Sequence, residues 1–178
     1  MAAAAHGYHQ LDTAEQSLSK GVFFACLLTV AARGHDLVVE TILEKALCVD
    51  LRDFSYQQAL HFAAARGHCK VLKLLLMRAK DADIKGRWYT PALLAAAEKQ
   101  QLQTTHILLQ AGADVNERLA EARTAETWRN IGGRKSVIEA AVLGGSVEIT
   151  KLLLEAGADP NPDDGLLSTA LHTAAEMG

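Results

Sequence analysis

Four glycines set the frame of this chain. Gly34 and Gly67 stand 33 residues apart (67 − 34), and so do Gly145 and Gly178 (178 − 145). A fixed spacing of that size marks a stacked-repeat architecture, in which each copy is one supersecondary unit that buries its apolar face only against its neighbours. The gap between Gly67 and Gly145 (145 − 67 = 78) equals two periods plus twelve residues. It places a glycine-free turn at Gln100 and an insertion of about twelve residues between Asn116 and Ser136.

The stretch Ser136–Asn161 shows what one unit is. Ile138, Ala141 and Val142 recur at spacings of three and four, and so do Ile149, Leu152 and Leu153, so each segment forms a helix with one apolar stripe. Gly144-Gly145 ends the first helix where a left-handed backbone is needed, and Ser146 is placed to cap the second. Gly157 ends that helix, and Asp159-Pro160-Asn161 turns the chain away. The unit is a helix–turn–helix hairpin.

ALHFAAARGHCKVLKLLL (Ala59–Leu76), TPALLAAAEKQ with ILLQAGADVN (Thr90–Asn116), VEITKLLLEAGADPN and the terminal TALHTAAEMG resemble ankyrin repeats. The resemblance runs from about Gly21 to Gly178. It implies an all-α solenoid of stacked helix–turn–helix repeats with short hairpin tips. The repeats fall at about 22–52, 53–85, 86–116 and 136–163, with a partial repeat at 164–178, an insertion at 117–135, and residues 1–20 as a flexible N-terminal tail. Three departures stand out. Repeat one, VFFACLLTVAARGHDLVVETIL, lacks the Thr-Pro-Leu-His start, repeat three has one residue too many between Pro91 and Gln100, and repeat five stops after its first helix. In repeat one, Val38, Val39, Ile42 and Leu43 are expected to face the second repeat, with Phe23, Phe24 and Leu27 completing the layer. His61 falls where the family has a histidine that bonds neighbouring backbone, and His172 matches it in repeat five.

Composition narrows the function classes. With 49% hydrophobic and 22% charged residues the chain is globular, and a net charge of −3 without a Lys/Arg run gives no general attraction to nucleic acid. The apolar run Val22–Ala32 has the look of a secretory h-region but is too short to span a bilayer. GHDLVVETIL follows it in the frame of a second helix, so it reads as a buried first helix with no membrane insertion. Cys26, Cys48 and Cys69 are odd in number with no metal-type pair spacing, which points to thiols of a reducing compartment, the cytoplasm with the nucleus as alternative.

Chemistry-bearing patterns are sparse. His61 and His172 lie more than three repeats apart, and His35 and His68 occupy equivalent turns one layer apart, so no metal site is expected and no cofactor is implied. There is no G-x-S-x-G, phosphate-binding glycine loop, paired Cys motif or H-E-x-x-H. Glu98, Glu139, Glu148 and Glu155 fall at helix positions expected to be solvated, and nothing orients Ser136 and His106 as nucleophile and base. The chain is therefore not expected to be an enzyme.

What the repeats do suggest is a protein partner. Arg87, Trp88 and Tyr89 fall at a projecting hairpin tip, and Phe54 and Tyr56 at corresponding places in the previous repeat enlarge an aromatic patch. Trp88 either stiffens the hairpin by packing on it or anchors a partner, since Trp, Tyr and Arg dominate interface hot spots. In the insertion, Trp128 with Arg129, Arg134 and Lys135 is either a second anchor with a basic rim or a cover for the third layer. The resemblance also marks Asn116, in Asp114-Val115-Asn116, as a residue of the kind an asparagine hydroxylase modifies; the plainer role is to bond the turn backbone. At the C-terminal end Leu171 and Ala174 have no second helix to cover them, and Leu166-Leu167 precede them in an apolar hairpin. Either the segment belongs to a longer chain, or the last helix frays, self-associates or docks a partner at that edge. The resulting expectation is a scaffold or adaptor that binds through its hairpin tips and concave face. The alternative is a regulatory or targeting domain of a larger multidomain enzyme or channel.

Overall fold

The computed structural model describes residues 21–45, 53–81, 88–117, 136–160 and 175. Among them are eight helices and no strand: α1 at 21–33, α2 Asp36–Lys45, α3 Phe54–Ala65, α4 Cys69–Asp81, α5 Thr90–Glu98, α6 Leu102–Gln110, α7 Val137–Gly144 and α8 Val147–Glu155. They form four hairpins. The tail, Cys48, Arg87, Trp128, Arg129, Arg134, Lys135, Leu166, Leu167, Leu171, His172 and Ala174 lie outside the described residues.

Each hairpin turns because one residue leaves the right-handed region. Gly34 and Gly67 have φ of 75° and 73°, where a side chain is strained. Gln100 takes the same conformation, φ 57°, without a glycine. The turn expected there is present, although a non-glycine residue in that region costs about 1–2 kcal/mol. Side-chain caps start α3 and α8, and a proline starts α5. Asp53 accepts the Ser55 amide at 2.8 Å, Pro91 occupies the first turn of α5, and Ser146 accepts the Ile149 amide at 3.3 Å.

First helices stack on first helices, α3 on α5 and α5 on α7, and second helices stack as α2, α4, α6 and α8 in turn. One continuous core runs between the two rows, holding Leu27, Leu60, Leu93 and Ile138 at one register position and Leu75, Leu108 and Leu153 at another. Because α5 is flanked on both sides, Thr90 through Ala97 are all buried, and its alanines let its neighbours come close. Gly144 shows how close. A Cβ there would stand 3.1 Å from the Ala97 carbonyl and 3.2 Å from that of Glu98.

Layer one corrects one expectation. Val39 and Leu43 are buried, Ile42 is half-buried, and Phe24 and Leu27 join the core, but Val38 is 46% exposed and does not face the second repeat. Val71, Thr104 and Ile149 hold the same place in α4, α6 and α8, each with a preceding second helix beside it, and all three are buried. Among the described residues no second helix precedes α2, so its copy of that position faces outward.

Candidate functional site

The face carrying the turns is assembled one rung per layer. Five residues before each turn residue the chain reads Thr29, Phe62, Ala95 and Ala140; one residue before, it reads Arg33, Arg66, Lys99 and Gly144. Phe62 is half-buried, stands edge-on to the His61 ring at 5.3 Å, and lies under the Arg66 guanidinium, 5.8 Å from ring centre to Cζ. The i, i+4 spacing on α3 puts Arg66 there. Side chains of one turn also cap backbone of a neighbouring turn. Arg66 Nη1 and His68 Nε2 lie 2.6 and 3.1 Å from the Ala32 carbonyl, and Gln100 Nε2 donates to the carbonyl of Gly144. These contacts satisfy carbonyls that a helix C-terminus leaves open.

The aromatic residues read as tip anchors divide. Tyr56 is 1% exposed and its hydroxyl donates to the Leu75 carbonyl at 2.6 Å, so it is a core residue of α3 rather than part of a surface patch. Burial pushes its hydroxyl pKa far up, Tyr89 adds to that, and Arg78 opposes it. Tyr89 is 2% exposed at the start of α5 and is likewise not presented at a tip; burial raises its pKa as well. The reason is common to both. A tyrosine near a helix start turns inward when its ring fills the layer, its polar end then needing an acceptor. Trp88 is half-buried against the core, its carbonyl accepting from Gln57 Nε2 at 3.5 Å, and Phe54 is half-buried.

Asn116 is occupied at both ends of its amide. Nδ2 donates to the Gly157 carbonyl at 2.8 Å, Oδ1 accepts the Asp159 amide at 2.8 Å, and its own amide donates to Asp114 Oδ1 at 2.9 Å. The exit loop of layer three is thereby tied to that of layer four. His61 Nδ1 lies 3.2 Å from the Pro91 carbonyl, one layer on, and burial holds its pKa below the ordinary histidine range although that contact and Glu98 work the other way.

Glu139 overturns its reading as a solvated carboxylate. It is 4% exposed and forms a capping box, its Oε2 accepting the Ser136 amide at 2.8 Å while Ser136 Oγ accepts the Glu139 amide at 3.2 Å. The signal was the Ser-Val-Ile-Glu spacing of Ser136 to Glu139. Ser136 Oγ is thus a helix cap. A cleft of about 440 Å3 between α1 and α3 is lined by Phe24, Leu28 and Asp53 among others, and the Asp53 carboxylate there is the cap of α3. Among the described residues no group of three or more His, Cys, Asp or Glu is arranged to hold a metal ion, and no helix is long and apolar enough to cross a membrane.

Stacked helical hairpins with turns in register define a helical-repeat solenoid. Family comparison makes the class specific: residues 28–119 match the model described as Ankyrin repeats (3 copies), and residues 137–165 match that of the single Ankyrin repeat. The chain belongs to the ankyrin repeat family, whose members are in general protein–protein interaction modules. None of the curated proteins matches the chain.

Proposed function

We propose that this chain is a scaffold or adaptor without catalytic activity, binding a partner protein across the face made by its first helices and turns, in the cytoplasm or nucleus. One observation carries the reading. Along that face the core position repeats as Leu27, Leu60, Leu93 and Ile138, while the two half-buried to exposed positions just before the turn read Ala32, Ala65, Glu98 and Leu143, then Arg33, Arg66, Lys99 and Gly144. A constant interior with a changing exterior suits a scaffold whose surface is free to specify a partner. Further support comes from Ser136, whose hydroxyl is committed to a helix cap, and from the free thiols Cys26 and Cys69, which suit a reducing compartment.

Affinity capture with the wild-type chain and with a Phe62→Ala/Trp88→Ala variant tests the proposal. The variant should lose at least about three quarters of the captured partner while its helical circular dichroism is kept, as expected when aromatic anchors are truncated. Full retention of every wild-type partner by the folded variant would sink this reading.

A further inference from the structure

We infer that the partner segment is an extended acidic peptide in the polyproline II conformation, read by a ladder of three cations, Arg33, Arg66 and Lys99; the inference rests on the interaction-module reading above. The three hold one register position in three consecutive layers. Each directly precedes the left-handed residue that ends its first helix, Gly34, Gly67 or Gln100, and all three are exposed. The ladder has a definite length. In the fourth layer the same position is Gly144, which has no side chain and whose carbonyl accepts from Gln100.

Spacing selects the ligand. Packed helices lie about 8–10 Å apart, so the backbone positions that carry the three cations climb by about that much per layer, with Arg66 leaning back from its rung onto the Ala32 carbonyl. A polyproline II chain has three residues per turn and rises about 3.1 Å per residue, which returns every third side chain to the same side after about 9.3 Å. In a β-strand, same-side neighbours are only about 6.6–6.8 Å apart, out of step with the ladder. Carboxylates at the first, fourth and seventh positions of an extended segment therefore meet three rungs.

The surroundings favour the same ligand. Phe62 lies one helical turn before Arg66 with its ring half-buried beneath the guanidinium, and its counterparts in the flanking layers, Thr29 and Ala95, are small. A single aromatic pad between small neighbours suits the prolines of such a segment, as aromatic-lined surfaces do elsewhere. Arg66 Nη1 is held on the Ala32 carbonyl at 2.6 Å, which fixes the guanidinium and leaves its other donors for a carboxylate. A nucleic acid fits less well. Three cations match three carboxylates, whereas a nucleic-acid backbone, charged at every nucleotide, needs a longer basic track than this chain of net charge −3 offers. Glu98, 3.7 Å from Lys99, makes that rung the weakest toward either ligand.

The test is fluorescence anisotropy with a labelled nine-residue peptide carrying glutamate at positions one, four and seven and proline elsewhere. Comparison probes are a peptide of the same composition with its glutamates adjacent, a helical peptide with glutamates seven residues apart, and a single-stranded oligothymidine. The spaced peptide should bind at least about tenfold more tightly than each of the others, and its affinity should fall as salt shortens the screening length. Arg66→Glu should weaken it at least about fivefold, Arg33→Glu/Arg66→Glu/Lys99→Glu should abolish it, and Lys151→Glu on α8 should leave it unchanged. Should the triple variant fail to fold, Arg33→Ala and Lys99→Ala, each weakening binding at least about twofold, take its place. Equal binding by any comparison probe, or wild-type binding by the folded reversal variants, overturns the inference. If the Phe62→Ala/Trp88→Ala variant loses its captured partner while the charge-reversal variants keep theirs, the interaction module stands and the acidic ligand falls.

Discussion

At the scale of single residues, the repeat lets one position be compared with itself. His61, Leu94 and Glu139 share a register, six residues before the turn, and each resolves burial differently. Leu94 simply packs, Glu139 turns its carboxylate into a cap for its own helix, and His61 reaches the Pro91 carbonyl while burial holds it neutral. That last solution makes stability depend on pH. An unfolded chain protonates His61 near pH about 6.5, whereas the folded chain does so only lower, so acidification through that window favours unfolding. Denaturant melts should show a lower midpoint at pH 5.5 than at pH 7.5, and His61→Leu, which copies Leu94, should reduce the difference. No reduction would place the pH dependence elsewhere. The turn at Gln100 was legible by counting alone, whereas the burial of Tyr56 was not: its acceptor is the carbonyl of Leu75, supplied by a different helix.

At the scale of elements, the second helices are where apolar spacing translated most directly into packing. In α4, Val71, Leu72, Leu75 and Leu76 are buried while Lys73 and Met77 are exposed, as a single stripe requires. Leu75→Ala should cost about 2–5 kcal/mol in denaturant melts, because the rows on both sides are too well filled to collapse into the gap. A loss below about 0.5 kcal/mol would mean that the layer repacks. The first helices were harder to read. Periodicity identifies a stripe, but α5 is buried all round because α3 and α7 flank it, a fact of stacking order that its own residues do not state. Composition hinted at it, since only a helix of alanines with few large side chains can be approached from both sides.

For the whole molecule, stability is shared between layers, and a position's burial depends on where its layer stands. Val38 and Val71 make the cleanest pair, being equivalent by repeat but 46% and 1% exposed. Val38→Glu should change stability by less than about 0.5 kcal/mol, and Val71→Glu should cost more than about 3 kcal/mol by burying an unpaired charge. Similar losses for the two would mean that something covers α2 in solution. The tie between exit loops has a different kind of consequence. Asn116 grips Gly157 and Asp159 directly, and α5 and α6 pack on α7 and α8, so the third and fourth layers are joined through space as well as through residues 118–135. Cutting that stretch would leave these contacts in place and make the joining of the two parts a bimolecular step. A backbone severed there would leave two complementary fragments able to find each other again, which makes it a natural seam for dividing the molecule into a reconstituting pair.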